Sequence, residues 1–283
     1  MRRDVNMKKP IVTLCITSYN RKNKLQACIE SFFMTNLFDP QFLEVIIVDN
    51  GSDDLETKEF INSIDFSSHC RQFKKIINGK NDWPFCRHRA KNQARSIASG
   101  EYFIDCPDDH LFVVRSNWIE ETINYLENST DKTSCVCHYA YPKYRFSKPQ
   151  NLMKPSISNS NYYVTHRKGY ADYHLMKRAT YEEIGPFNEM LAFTPNSEDD
   201  YMDRSFTLGY RRSLLKYPCS VVIDSETFPD FDGADQFARL VNPIEEKDYR
   251  EFYSDISFPV SCESLLEYAL KTGAIKILPG KAL

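Results

Sequence analysis

Two aspartates, Asp108 and Asp109, stand side by side just after a short apolar stretch at 102–104. Neighbouring carboxylates repel, and at a buried rim that is costly unless a cation compensates. Hard oxygen donors suit Mg2+ or Mn2+. An ion held there would grip a diphosphate and neutralise its growing charge as it departs. A solvated turn of helix-capping acids is the plainer account of the same pair. Asp49 ends another apolar run, where it either caps the next helix or accepts from a nucleoside base N–H. Arg21, Arg89 and Lys91 could clamp phosphates or serve as ordinary surface charges. A third acidic group, Glu198-Asp199-Asp200, precedes a helical stretch, where the helix dipole favours acids. Its chemical reading is a general base taking a proton from a hydroxyl, an effect of about 10²–10⁴ in rate. No Ser/His/Asp or Cys/His spacing argues for a hydrolase, and no Walker-type glycine loop is present. With nine glycines in all, a nucleotide must be held by side chains and a metal more than by glycine turns.

The elements that must position these residues follow from periodicity. Residues 11–16 have the length of a buried strand, closed by a polar turn at 17–21. Leu25, Cys28, Ile29, Phe32 and Phe33 then recur at helical spacing. Residues 43–48 form a second strand running into 49–54, where Asn50-Gly51 signals a turn. Ser52 or Asp53 is the expected cap of a helix containing Leu55, Phe60 and Ile61. Ile76-Ile77 reads as a short third strand, 87–99 as a helix stopped by Gly100, and 102–104 as another strand. Alternating strands and helices imply an α/β fold, a Rossmann-like, mostly parallel central sheet with helices on both faces. Ligands in such sheets sit beyond the carboxyl ends of the strands. Those ends carry 17–21, 49–54 and 105–110, so three polar, acid-rich loops converge on one rim. Farther on, 134–144 and 220–223 read as strands, and 147–161 as a polar, mobile loop. A short helix at 181–184 is stopped by Gly185-Pro186, and a helix at 201–208 is closed by Gly209 in a left-handed cap. The domain is expected to span 1–240. An appendage at 241–283, with an amphipathic helix at 261–272, is expected to dock on it.

Composition bounds the partners. Hydrophobic residues at 42% and charged residues at 27% suffice for a sizeable core. A net charge of −3 advertises neither nucleic acid nor an acidic membrane. No stretch approaches the ~18 apolar residues of a bilayer span, and the basic start lacks a signal-peptide core. Nine scattered cysteines without an export signal read as thiols in a reducing compartment. A cytoplasmic protein, with at most peripheral contact to the inner face of a membrane, is expected. Cys135, Cys137 and His138 match no zinc spacing, and alternation there reads as a strand.

Taken in order, Thr-Leu-Cys-Ile-Thr-Ser-Tyr-Asn-Arg (13–21), Glu-Val-Ile-Ile-Val-Asp-Asn-Gly-Ser-Asp-Asp (44–54) and Ser-Gly-Glu-Tyr-Phe-Ile (99–104) resemble family 2 glycosyltransferases. The acidic pair, the run 174–189, and Glu-Asp-Asp (198–200) with Arg204 and Gly209-Tyr210-Arg211 extend the resemblance over residues 10–225. It implies a GT-A fold and an inverting, metal-dependent transfer from a nucleotide-diphosphate sugar, usually a UDP-sugar, to a hydroxyl. The cation would be Mn2+ or Mg2+. The acceptor would be a saccharide or a lipid-linked species, as in surface polysaccharide or glycoconjugate synthesis. By the same resemblance, Thr17, Tyr19, Arg21 and Asp49 hold the nucleoside. Lys91 stands where an arginine is usual, near the phosphates and base. Asp109 binds the cation, and Asp108 the ribose or the cation's water shell. Asp199 is the base; counting back from Arg204 and Gly209 puts Glu198 in that place, and Asp200 is the third candidate.

Besides this shift in the base position, the chain departs from the family at two further points. Residues 220–235 contain no His to complete the metal site, leaving Asp224, Glu226, Asp230 and Asp232 as substitutes. Lysine at 91 also lacks the bidentate geometry of arginine. The competing classes are a catalytically inactive sugar-nucleotide-binding scaffold of the same fold, and a nucleotidylyltransferase. The latter begins with a Gly-rich loop, and 17–21 contains no glycine.

Overall fold

The computed structural model describes residues 11–81, 86–112, 116–138, 140–141, 152–153, 162–165, 173–191, 199–215 and 220–222. The first half is built of β1 (Val12–Ser18), α1 (Lys22–Thr35), β2 (Leu43–Asp49), α2 (Leu55–Ser63), β3 (Gln72–Ile77), α3 (Cys86–Ile97) and β4 (Tyr102–Pro107). The strands β3-β2-β1-β4 lie side by side, all parallel. All seven residues of β2 are buried, as expected of a parallel strand covered on both faces. Its one internal charge, Glu44, is fully buried. Lys74 at 2.6 Å, Thr13 Oγ1 at 2.5 Å and the Ser99 amide at 2.8 Å all donate to it. A buried charge persists only when paired in this way.

The second half contributes β5 (His110–Phe112), α4 (Trp118–Asn128), β6 (Thr133–His138), β7 (Ala140–Tyr141), β8 (Leu152–Met153) and β9 (Tyr162–Thr165). It continues with β10 (Tyr173–Lys177), α5 (Arg178–Ile184), α6 (Asp199–Thr207), β11 (Arg211–Leu215) and β12 (Ser220–Val222). The large sheet has the order β3-β2-β1-β4-β10-β6-β11-β9-β8, and β5-β12-β7 form a small second one. Beyond β4 the sheet becomes mixed, because β10 enters antiparallel to both β4 and β6.

Side chains alternate across the sheet and define two cores. Val12, Leu14 and Ile16 of β1, with Val45 and Ile47 of β2, pack under α1, α2 and α4. Cys15, Ile46, Val48 and Phe103 face α3, α5 and α6. The α/β expectation with helices on both faces therefore holds. On α3 the buried residues Ala90 and Ala94, with Ala98 just past its end, are small and four apart, which lets the helix lie close to the strands.

Several boundaries differ from the sequence reading. The first, third and fourth strands are longer than their apolar runs, because polar residues such as Ser18, Gln72 and Asp105 complete the ladders. The cap of α2 is Asp54, whose carboxylate accepts from the Thr57 amide at 2.8 Å, and not Ser52 or Asp53. Leu55 faces solvent. Gly209 has φ +83°, as expected of a left-handed cap after α6, and Gly185, with φ +89°, stops α5 as expected. The strand reading of 134–138 holds, and none of Cys15, Cys28, Cys70, Cys106 or Cys135 forms a disulfide. Among the described residues no helix is long and apolar enough to cross a membrane. The domain division at 240, the helix at 261–272, and Asp224, Glu226, Asp230 and Asp232 lie outside the described residues.

Candidate active site

The strand ends that carry the acidic loops lie level. Ser18 pairs with Asp49 across β1 and β2, and Thr17 with Pro107 across β1 and β4. Three loops thus open at one rim because parallel pairing stacks the carboxyl ends. Asn20 staples the first loop to the second: its Oδ1 accepts from the amides of Asp53 and Asp54, both at 3.0 Å. Its own amide donates to Ser52 Oγ at 2.9 Å. Asn20 takes φ +52°, a conformation that asparagine tolerates better than most residues. The second loop is closed against the chain after β3, since a Cβ on Gly51 would lie 2.3 Å from the carbonyl carbon of Lys80. Asp49 is buried and does not cap α2; its Oδ1 accepts from the Ser52 amide at 3.0 Å and hydroxyl at 2.6 Å. Thr17 is half-buried and Tyr19 exposed at the same rim.

The acidic pair sits in the turn between β4 and β5. Asp108 is buried, and its Oδ2 accepts from Ser18 Oγ at 2.7 Å. Arg21 Nη1 lies 3.4 Å from Asp108 Oδ1 and 3.9 Å from Asp109 Oδ2. Burial, with the adjacent Asp109 charge, pushes the Asp108 carboxyl up to about 6 against the pull of Arg21 and Ser18. The pair is therefore under-neutralised. His110, also buried, shares a 2.8 Å hydrogen bond between Nδ1 and Ser220 Oγ, and its Nε2 stands 3.8 Å from Asp109 Oδ1.

Lys91 does not reach the surface. It lies on the buried side of α3 with Nζ 4.9 Å from the centre of the Phe187 ring, and its charge acts on Asp105 and His174. Arg89 is on the exposed side, 3.5 Å from Glu189. Asp105, expected in the rim loop, is instead a buried strand residue. Its carboxylate is paired with Arg95 and lies 3.1 Å from His174 Nε2. Burial opposes its ionisation, yet Arg95 and His174 outweigh that and hold it well below the usual carboxylate range. Burial likewise keeps the His174 imidazole below its ordinary value. The Arg95 guanidinium lies 4.3 Å from the Tyr181 ring centre and 4.7 Å from that of Phe187.

Of the three base candidates, Glu198 lies outside the described residues, and Asp199 opens α6. Asp200 is engaged: its Oδ2 accepts from Arg204 Nη2 at 3.0 Å and Nε at 3.2 Å. The same arginine donates to the carbonyls of Ile184 and Pro186. A cleft of ≈ 1020 Å³ opens beside this ion pair, lined by Asn92, Arg95, Tyr181, Phe187 and Arg204 among others; it includes none of the rim acids. Ser18, Asn20, Arg95 and His110 escaped the sequence reading as individuals. Only Asn20 carried a local signal, as an asparagine in a polar turn.

A divalent cation fits the acidic pair on electrostatic grounds, because two hard carboxylates stand side by side and the ionisation of the buried one is disfavoured despite Arg21. Among the described residues no three His, Cys, Asp or Glu side chains group to hold an ion. Mg2+ is commonly held by one or two carboxylates together with substrate phosphates and water, and Asp108 and Asp109 could supply the carboxylates.

Comparison with known proteins bears on the fold and the family. No curated protein matches the chain in sequence. Among solved structures, the mannosyltransferase PcManGT from Pyrobaculum calidifontis, in complex with GDP-Man and Mn2+, aligns with a TM-score of 0.59 at 16% identity. It covers 96% of this chain and 78% of its own. S. aureus TarS 1-349 in complex with UDP aligns with a TM-score of 0.55 at 14% identity, covering 93% and 88%. These likenesses establish the GT-A fold. The model of the family described as glycosyl transferase family 2 matches residues 13–190, more than half of the chain, and the chain belongs to that family.

Proposed function

We propose that the protein is an inverting glycosyltransferase that moves a sugar from a nucleotide diphosphate, a UDP-sugar, to an acceptor hydroxyl in the synthesis of a polysaccharide or glycoconjugate. The observation that carries this reading is the under-neutralised Asp108–Asp109 pair beside Asp49 and Arg21, at the carboxyl rim of a parallel sheet. The relatives seen with GDP-Man and Mn2+ and with UDP support a nucleotide-diphosphate donor and a divalent ion.

Each side chain then has a task. Asp49, whose described hydrogen bonds fall on Oδ1, presents Oδ2 to a base N–H. Thr17 and Tyr19 flank the nucleoside. Asp109 would hold Mn2+ or Mg2+, and Asp108 the ribose or the ion's water. The bound ion supplies the Lewis acidity that stabilises the departing diphosphate. Arg21 binds diphosphate oxygens. Lys91 acts from below as a buried positive charge instead of a direct clamp. Asp199 takes the acceptor proton, because Asp200 is committed to Arg204.

Thermal-shift measurements with nucleotides and nucleotide sugars, with and without Mn2+, test the donor. A UDP-specific shift that requires metal is expected. Asp109→Ala should abolish that shift together with transfer; undiminished transfer by this variant in the presence of EDTA would remove the metal from the reading. Slow hydrolysis of a UDP-sugar, lost in Asp199→Asn, separates an enzyme from a binding scaffold.

A further inference from the structure

Along β1, Val12, Leu14 and Ile16 share the face under α1 and are fully buried, and the next position in that alternation is Ser18. A hydroxyl at 2% exposure, where the apolar stripe would continue, is costly unless it is hydrogen-bonded. Its Oγ donates to Asp108 Oδ2 at 2.7 Å. The cations that act on Asp108 do so from farther off, Arg21 Nη1 at 3.4 Å from Oδ1 and Lys24 through its charge. The short bond from Ser18 therefore fixes how the carboxylate is turned. With Oδ2 held, Asp108 Oδ1 and Asp109 Oδ2 lie 3.4 and 3.9 Å from one atom, Arg21 Nη1, so the two carboxylates converge on a common point. The backbone of Ser18 serves the neighbouring loop: its carbonyl accepts from the Asn50 amide at 2.8 Å, beside Asp49.

We propose that Ser18 is a positioning residue for the divalent ion. Its hydroxyl turns the Asp108 carboxylate so that Oδ1 and Asp109 are presented together to the ion or to the ion's water. Without the hydroxyl the carboxylate is free to rotate in its buried turn, and the two acids no longer converge. Groups that orient a metal's carboxylates in this way contribute about 10–100-fold to its affinity. The loop bearing Asp49 is held by the backbone of Ser18 and not by its hydroxyl. Loss of the hydroxyl therefore falls on the metal-dependent part of nucleotide binding and spares the rest. The inference rests on the nucleotide-diphosphate and divalent-ion reading above.

Calorimetric titration of the full chain with UDP, in EDTA and at saturating Mn2+, tests it at pH 8.5 in the wild type, Ser18→Ala and Ser18→Thr, each with its melting curve as a folding control. The quantity read is the factor by which Mn2+ strengthens UDP binding. In Ser18→Ala that factor is expected to fall about 10-fold, with UDP binding in EDTA unchanged. Ser18→Thr, which keeps the hydroxyl, is expected to restore it. If Mn2+ strengthens UDP binding as much in Ser18→Ala as in the wild type, the positioning role is wrong and the donor reading stands. If Ser18→Ala weakens UDP binding equally in EDTA and in Mn2+, the residue only supports the loop, and the inference is again wrong. A Ser18→Thr variant that melts like the wild type yet binds like Ser18→Ala excludes the hydroxyl as the cause; if the added methyl lowers its melting point, Ser18→Ala decides alone. A wild type that shows no metal-dependent UDP binding overturns the donor reading and this inference together.

Discussion

At the scale of single residues, Asp108 is a buried carboxyl whose ionisation its surroundings oppose. Its carboxyl is raised from an ordinary 3.8 to about 6, chiefly by burial. Between those values the folded chain binds a proton that the unfolded chain has released. Its contribution to stability is thus fully present below the unfolded value and is lost as pH rises through about 6. Asp108→Asn should therefore stabilise the free protein at pH 8, by on the order of 2 kcal/mol, and by much less at pH 4.5. Melting curves at the two pH values check this, and equal shifts at both would contradict it. The same titration predicts that Mn2+-dependent UDP binding by the wild type strengthens between pH 5 and 7, since the ion needs the ionised pair. A residue that weakens the fold while serving the ligand is the usual bargain at a binding site.

At the scale of elements, two close approaches of backbone shape the first half of the sheet, one at the rim and one at the opposite end of the strands. Gly51 combines φ +79° with the carbonyl carbon of Lys80 2.3 Å from any added Cβ, so the loop bearing Asp49 and Ser52 cannot accept a side chain there. Gly51→Ala should cost at least about 2 kcal/mol and weaken UDP binding by displacing Asp49, measurable by urea denaturation and titration. A variant of unchanged stability would mean that this loop is not held against 80–81. Gly100 is constrained differently: a Cβ there would meet Thr13 Oγ1 at 2.4 Å and the Thr13 amide nitrogen at 2.7 Å, at the start of β4. Its place in the sequence marks a helix stop, but the close contact with β1 is what forbids a larger residue.

At the scale of the whole molecule, Arg95, Asp105 and His174 join α3, β4 and β10 beneath the rim. The guanidinium is roofed by the rings of Tyr181 and Phe187, which bring α5 and the segment after it onto the same charge. Breaking a buried ion pair leaves an uncompensated charge, so Arg95→Met and Asp105→Asn should each cost about 3–5 kcal/mol. The double variant should cost clearly less than the sum, since it buries no orphan charge. Urea denaturation of the four proteins measures the coupling; strict additivity would show that the pair is not a unit. Because Asp105 and Asp108 share one strand and turn, the singles should also loosen UDP binding.

Much of the fold was legible in the chain itself. Alternating apolar runs and helical stripes determined β1, β2, α1 and the α/β class, because burial on a sheet face or helix stripe repeats along the sequence with a fixed period. The turn at Asn50-Gly51 and the stops at Gly185 and Gly209 were equally local, since glycine tolerates positive φ at little cost. The acidic pair was legible as chemistry. Its surroundings were not: Ser18 and Arg21 meet Asp108 and Asp109 only because parallel pairing brings residues about 90 apart in sequence to one rim. The partnership of Arg95 with Asp105, the burial of Lys91 and the commitment of Asp200 to Arg204 were likewise decided by packing. Charge type is written in the sequence, but whether a charge meets water, a ring or an opposite charge depends on which elements the tertiary structure stacks against it.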